Sequence, residues 1–130
     1  MEWGPHTLDL DETPGGVRRA RDLAADFLRE CPGPTPAPET LRDVVMVVAE
    51  LVSNAYRHAP GPYRLTLSAG QDAVTVAVRD GGRAWLAAVP EVRPPGGFGL
   101  LVVRRLSRTL DVEIEPDGKV LTAIVPRNHA

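Results

Sequence analysis

Two hydrophobic periods alternate along the chain. From Gly16 to Glu30, apolar side chains fall at Val17, Ala20, Leu23, Ala24, Phe27 and Leu28, the three-to-four spacing that lines one side of a helix. A second stretch of this kind runs from Thr40 to about His58, with Leu41, Val44, Val45, Val48, Leu51, Val52 and Ala55 in one stripe. Its many valines also suit a strand, but strands usually end within about ten residues, so length decides for a helix. Thr40 and Asp43 predict a capping pair at its start, and Ala59-Pro60-Gly61 predicts its end. The period then changes to two. Tyr63–Ala69 and Ala73–Arg79 flank Gly70-Gln71-Asp72 and read as a hairpin with Val74, Val76 and Val78 on one face. His6–Leu10 predicts a short edge strand, Leu100–Arg108 a helix, and Leu110–Glu115 a half-exposed strand whose apolar residues alternate with acids. Pro116-Asp117-Gly118 predicts a turn, since proline presets φ and glycine accepts positive φ. Val120–Val125 closes the sheet.

Two stretches fit neither period. Cys31-Pro-Gly-Pro-Thr-Pro-Ala-Pro38 cannot be crossed by a helix, because its prolines remove donors and force extended geometry. The segment before it is too short to hold its own core, so it reads as a loop within a single domain spanning residues 1–130. Asp80 to Gly99 is irregular and rich in glycine and proline. The order β-α-α-β-β-loop-α-β-β implies an α+β, two-layer sandwich whose mixed, mostly antiparallel sheet carries its helices on one face.

Composition narrows the class without naming an activity. Apolar residues make up 43% and charged residues 25% of the 130 positions, as in soluble globular domains. A net charge of -2 points to no general affinity for nucleic acid or anionic membrane. One cysteine, Cys31, excludes a disulfide framework and a cysteine-rich metal site, and suits a reducing cytoplasm. The N-terminus lacks the pattern of a secretory signal, and VVMVVA is far shorter than the roughly 20 residues of a membrane helix. Lysine occurs once, at Lys119.

Chemistry concentrates at three places. Directly after VVMVVA stands ELVSNAYRHA, which puts Glu50, Asn54 and His58 four apart and so on one face of the second helix. With apolar positions around most of that helix, Glu50 is expected partly out of water, where a carboxylate needs a compensating partner or ligand. The plain reading is a solvated face, with His58 as a C-terminal charge favoured by the dipole. The functional reading gives Glu50 proton abstraction or water activation, and Asn54 an oxygen for magnesium. Asp80-Gly81-Gly82 ends a strand with a carboxylate able to accept from an exocyclic amine, or is an ordinary turn. Pro94-Pro95-Gly96-Gly97-Phe98-Gly99-Leu100 opens a helix with exposed N–H groups that suit phosphate, or is a flexible connector. It is neither a Walker A loop nor a dinucleotide fingerprint.

Together, ELVSNAYRHA, a strand ending in DGG, and GGFGLLVVRRL resemble the nucleotide-binding domain of the GHKL ATPases, the superfamily of gyrase, histidine kinases and anti-sigma-factor serine kinases. The resemblance extends from Gly16 to Pro126, and the small single-domain anti-sigma-factor kinase type fits best, its first helix being similar to VRRARDL. It implies ATP and Mg²⁺ as cofactors. It implies that Glu50 is the general base, that Asn54 holds magnesium, and that Asp80, with Gly82 nearby, receives the adenine amine. It places Gly97, Phe98, Gly99 and Leu100 at the phosphates, Arg57 and His58 on the nucleotide side, and Thr122 on the last strand near the phosphates. Ala84 stands where the family often has glycine, and the stretch Arg83–Pro95 is short and proline-bearing.

Three functions follow. One is a cytoplasmic serine/threonine kinase that phosphorylates an anti-sigma antagonist, sequesters a sigma factor, or does both. Another is a non-catalytic binding protein that sequesters a partner in response to nucleotide. The third, a module of a larger histidine-kinase-like assembly, is disfavoured because the chain looks complete at both ends. The expected partners are the antagonist, a sigma factor or both, and a second copy of the chain, with no direct nucleic acid and no membrane. Trp3, Trp85 and Leu86 are candidates for an apolar contact face, or for local packing.

Overall fold

The computed structural model describes residues 2–11, 13–82 and 98–128, with residues 98 and 99 by their backbone only. Its elements are β1 (Trp3–Leu10), α1 (Gly16–Glu30), α2 (Pro38–His58), β2 (Tyr63–Ala69), β3 (Ala73–Asp80), α3 (Phe98–Leu106), β4 (Thr109–Glu115) and β5 (Gly118–Pro126). The five strands form one sheet in the order β1-β2-β3-β5-β4, and every neighbouring pair is antiparallel. The expected α+β two-layer sandwich is therefore present, with a wholly antiparallel sheet. α1 packs on β1 and β2, α3 on β5 and β4, and α2 lies between the other two helices over β3 and β5.

The core is the seam between the layers. Leu65, Leu67, Val74, Val76, Val78, Leu121, Ala123 and Val125 alternate along the inner strands and are buried, as the pleat requires of one sheet face. They meet Ala20, Ala24, Phe27 and Leu28 of α1 and Val44, Val48, Leu51, Val52 and Ala55 of α2. Val47 is buried as well, whereas Met46 is 42% exposed. The opposite sheet face carries Thr66, Thr75 and Thr122, which are half-buried.

Two local expectations change. The capping pair at Thr40 and Asp43 does not form: α2 begins at Pro38, with Ala37 as an N-cap that makes no side-chain bond. Proline at the first helical position presets φ and lacks an N–H that would be orphaned there anyway. Thr40 is thereby moved inside the helix, where its hydroxyl accepts from Asn128 N–H at 3.0 Å and donates to Asn128 O at 3.3 Å. Ala37 N–H also donates to Asn128 O, and the Arg127 guanidinium donates to the carbonyls of Gly70 and Pro32. The proline-rich connector is thus pinned to the end of the sheet. The other change is in α3, which spans Phe98–Leu106 and so ends before Arg108, whose N–H instead bonds Ile124 O.

Candidate functional site

Candidate residues stand on α2 and at the paired ends of β3 and β5, and the end of α2 meets the end of β3 where Ala59 lies against Gly82. α2 presents its polar face in steps. Glu50 is half-buried, Asn54 is 3% exposed, and His58 is half-buried. Arg57, off that face, is exposed. The Asn54 Nδ2 atom is buried and has no hydrogen-bond partner among the described residues. A buried amide without a partner carries a desolvation cost of about 1–3 kcal/mol.

Asp80 closes β3 on the same side. Its position in the alternation Val74, Val76, Val78, Asp80 sends the carboxylate to the helix-covered face. Directly across the ladder stands Lys119, in phase with Leu121, Ala123 and Val125. Lys119 Nζ donates to Asp80 Oδ1 at 2.8 Å and to Oδ2 at 2.7 Å, and both side chains are 0% exposed. Gly82 N–H donates to Oδ1 at 2.8 Å. Burial pushes the Lys119 ammonium below the usual lysine range, while Asp80 acts in the opposite direction. Burial also lowers His58, aided by the positive charges of Arg57 and Lys119.

Gly81 and Gly82 have a steric reason at this corner. A Cβ on Gly81 would stand 2.5 Å from Gly61 O, and one on Gly82 would stand 2.6 Å from the Ala59 Cβ. The loop leaving α2 therefore presses directly on the residues after Asp80, and Gly81 N–H bonds Pro60 O at 2.8 Å.

The other expected residues divide. Leu100 packs partly buried against the core from the first turn of α3. Phe98 and Gly99 begin that helix. Gly97, Ala84, Trp85 and Leu86 lie outside the described residues. Thr122 pairs with Ala77 and Asp111 on the sheet face away from the helices, so it does not join Asp80 and Asn54. Trp3 packs against the core with its ring 5.2 Å from that of His6, which is the local-packing reading.

Among the described residues, no group of three or more His, Cys, Asp or Glu is placed to hold a metal ion. A magnesium ion here would have to come with phosphates, as that ion commonly does. A groove of about 570 Å³ runs between α1 and α2 on the outer face, with Glu50 at its lining but neither Asn54 nor Asp80.

Sequence reasoning missed Lys119. The signal was available: a lysine at an inward position of a buried strand needs a carboxylate beside it, and the opposite strand ends in one.

The family model of the histidine kinase-like ATPase domain matches residues 10–125. The chain belongs to that family. The resemblance read from the three motifs is thus borne out at family level, and the matched span contains Glu50, Asn54, Asp80 and Lys119. A search of curated proteins finds no match. Among solved structures, the chain is similar to the crystal structure of the RsbU and RsbW domains of Rv1364c from Mycobacterium tuberculosis, with a TM-score of 0.72 and 19% identity. The match covers 98% of this chain and 35% of that one. At this identity the likeness speaks for the fold alone. No described helix is long and apolar enough to cross a membrane.

Proposed function

We propose that this histidine kinase-like ATPase domain binds ATP with magnesium and acts as a regulator of the anti-sigma-factor serine/threonine kinase type. The observation that carries the reading is Asn54: a buried amide whose Nδ2 has no partner among the described residues, one helical turn from both Glu50 and His58. Its burial makes sense if a bound group satisfies it. Magnesium supplies charge neutralisation at the phosphates when bound. The chain's own residues do the rest. Asn54 orients the phosphate end, Asp80 faces the base, and half-buried Glu50 takes the proton of the attacking hydroxyl or water. In phosphoryl transfer, positioning and electrostatics provide most of the catalysis. The protein substrate on this reading is an anti-sigma antagonist, with a sigma factor and a second copy of the chain as binding partners, in the cytoplasm.

The first test is a calorimetric titration with ATP in the presence of magnesium. Saturable 1:1 binding that disappears in Asn54→Ala is expected, and no heat at millimolar ATP would sink the proposal. The second is transfer of labelled phosphate to candidate antagonists, expected for the native chain and lost in Glu50→Ala.

One observation favours a second reading, a non-catalytic protein that sequesters its partner in response to nucleotide. The Asp80 carboxylate is already paired with Lys119, which weakens its hold on a base. Binding of ATP without transfer to any antagonist, with partner control intact in Glu50→Ala, would select this reading.

A further inference from the structure

The carboxylate that would read the base is already engaged. Lys119 Nζ donates to both of its oxygens at 2.8 and 2.7 Å, and Gly82 N–H donates to Oδ1 at 2.8 Å. An ionised carboxylate offers about four acceptor sites, so three are filled by the protein itself. The arrangement is built into the ladder. Asp80 and Lys119 are directly opposed across β3 and β5, and opposed residues raise their side chains side by side from one face.

Selection by a buried hydrogen-bonding group works mainly through a penalty. A ligand lacking the matching group leaves the protein's polar atom unpaired, and rejection of roughly 10⁴–10⁵ follows. At Asp80 that penalty is missing. Lys119 and Gly82 keep the carboxylate bonded whatever base stands in front of it. An exocyclic amine gains either the one remaining acceptor site or an exchange with an ammonium N–H, and an exchange of equivalent bonds yields little.

We propose that Lys119 is a specificity-determining residue of the nucleotide site and that it relaxes selection for the amine of a purine base. The inference rests on the nucleotide-binding reading above. The ligand class is a purine nucleoside triphosphate, with or without the 6-amino group. A lysine present only to neutralise a buried charge would affect stability and leave the ratio of affinities for two bases untouched, so that ratio is the readout.

The experiment displaces a fluorescent ATP analogue from the full chain, in magnesium, with ATP or with purine riboside triphosphate. The two competitors differ only by hydrogen in place of the amine. In the native protein they should compete within about threefold of each other. In Lys119→Met, where Asp80 lacks its partner unless the amine supplies one, ATP should be favoured by about tenfold or more. Lys119→Arg, which keeps a donor on the carboxylate, should stay near the native ratio. A native preference for ATP of about thirtyfold or more would overturn the inference even if Lys119→Met does not fold. An unchanged ratio in folded Lys119→Met would overturn it as well. Failure of the analogue and both competitors to bind would overturn the nucleotide reading itself, and this inference with it.

Discussion

Replacing Lys119 with methionine keeps an unbranched side chain, shorter by one heavy atom, and removes its charge. Among the described residues, Asp80, 1% exposed, then keeps the Gly82 N–H as its donor. Breaking a buried ion pair by deleting one partner costs about 3–5 kcal/mol, because the remaining charge is neither hydrated nor paired. The total stability of a domain is about 5–15 kcal/mol, so the loss is a large fraction of it. With a urea slope near 2 kcal/mol/M, a loss of 3–5 kcal/mol lowers the unfolding midpoint by roughly 1.5–2.5 M. Circular dichroism across a urea series at pH 7 measures this shift directly. The double variant Asp80→Leu/Lys119→Met removes both charges together. Apolar replacement of a buried pair is often neutral or stabilising, set against about 1 kcal/mol for the acceptor that Gly82 N–H loses. The double variant should therefore recover most of the loss. A single variant within about 1 kcal/mol of native would refute the reasoning. A double variant no more stable than Lys119→Met would refute it equally.

Three further outcomes are expected. Asn54→Leu removes a buried donor that has no partner among the described residues, so unfolding should show stability unchanged or raised by about 1 kcal/mol, while ATP binding by calorimetry is abolished. Gly81→Ala places a Cβ 2.5 Å from Gly61 O; overpacking of this kind costs about 1–3 kcal/mol, seen as a lower thermal midpoint. Burial and positive neighbours lower His58 in the folded state, so below about pH 6.5 the unfolded chain binds the proton first. Stability should therefore fall as pH drops from 6.5 through the lowered folded value, and His58→Gln should flatten that part of a urea-midpoint profile against pH.

Helix and strand identities were legible in the sequence because each is a local consequence of period. Val17 to Leu28 specifies a stripe, Val74, Val76 and Val78 specify a face, and burial follows from those alternations. Element order then left few sheets to choose from. The start of α2 was misplaced because Thr40 has the side chain of a cap, but its hydroxyl is claimed by Asn128, 88 residues away. That competition is invisible to a local pattern, and Pro38 settles it in favour of an earlier start. The spacing of Glu50, Asn54 and His58 placed them on one helix face. Only the packing showed that Asn54 is the buried one and that its Nδ2 lacks a partner among the described residues.

The pairing of Asp80 with Lys119 separates the two kinds of information most clearly. The sequence by itself determined that a carboxylate ends one inward-alternating strand, while its pattern began the last strand at Val120 and left the chain's only lysine just outside it. It did not determine that the two strands are neighbours. The order β3-β5 in the sheet, with β4 at the edge, brings together residues 39 apart and sets their register. A strand's hydrophobic period specifies which face it buries, because alternation is a property of one chain segment. Which strand lies beside it, and so which charge finds which partner, depends on the ladder and the helices packed over it. Only the tertiary structure contains that information.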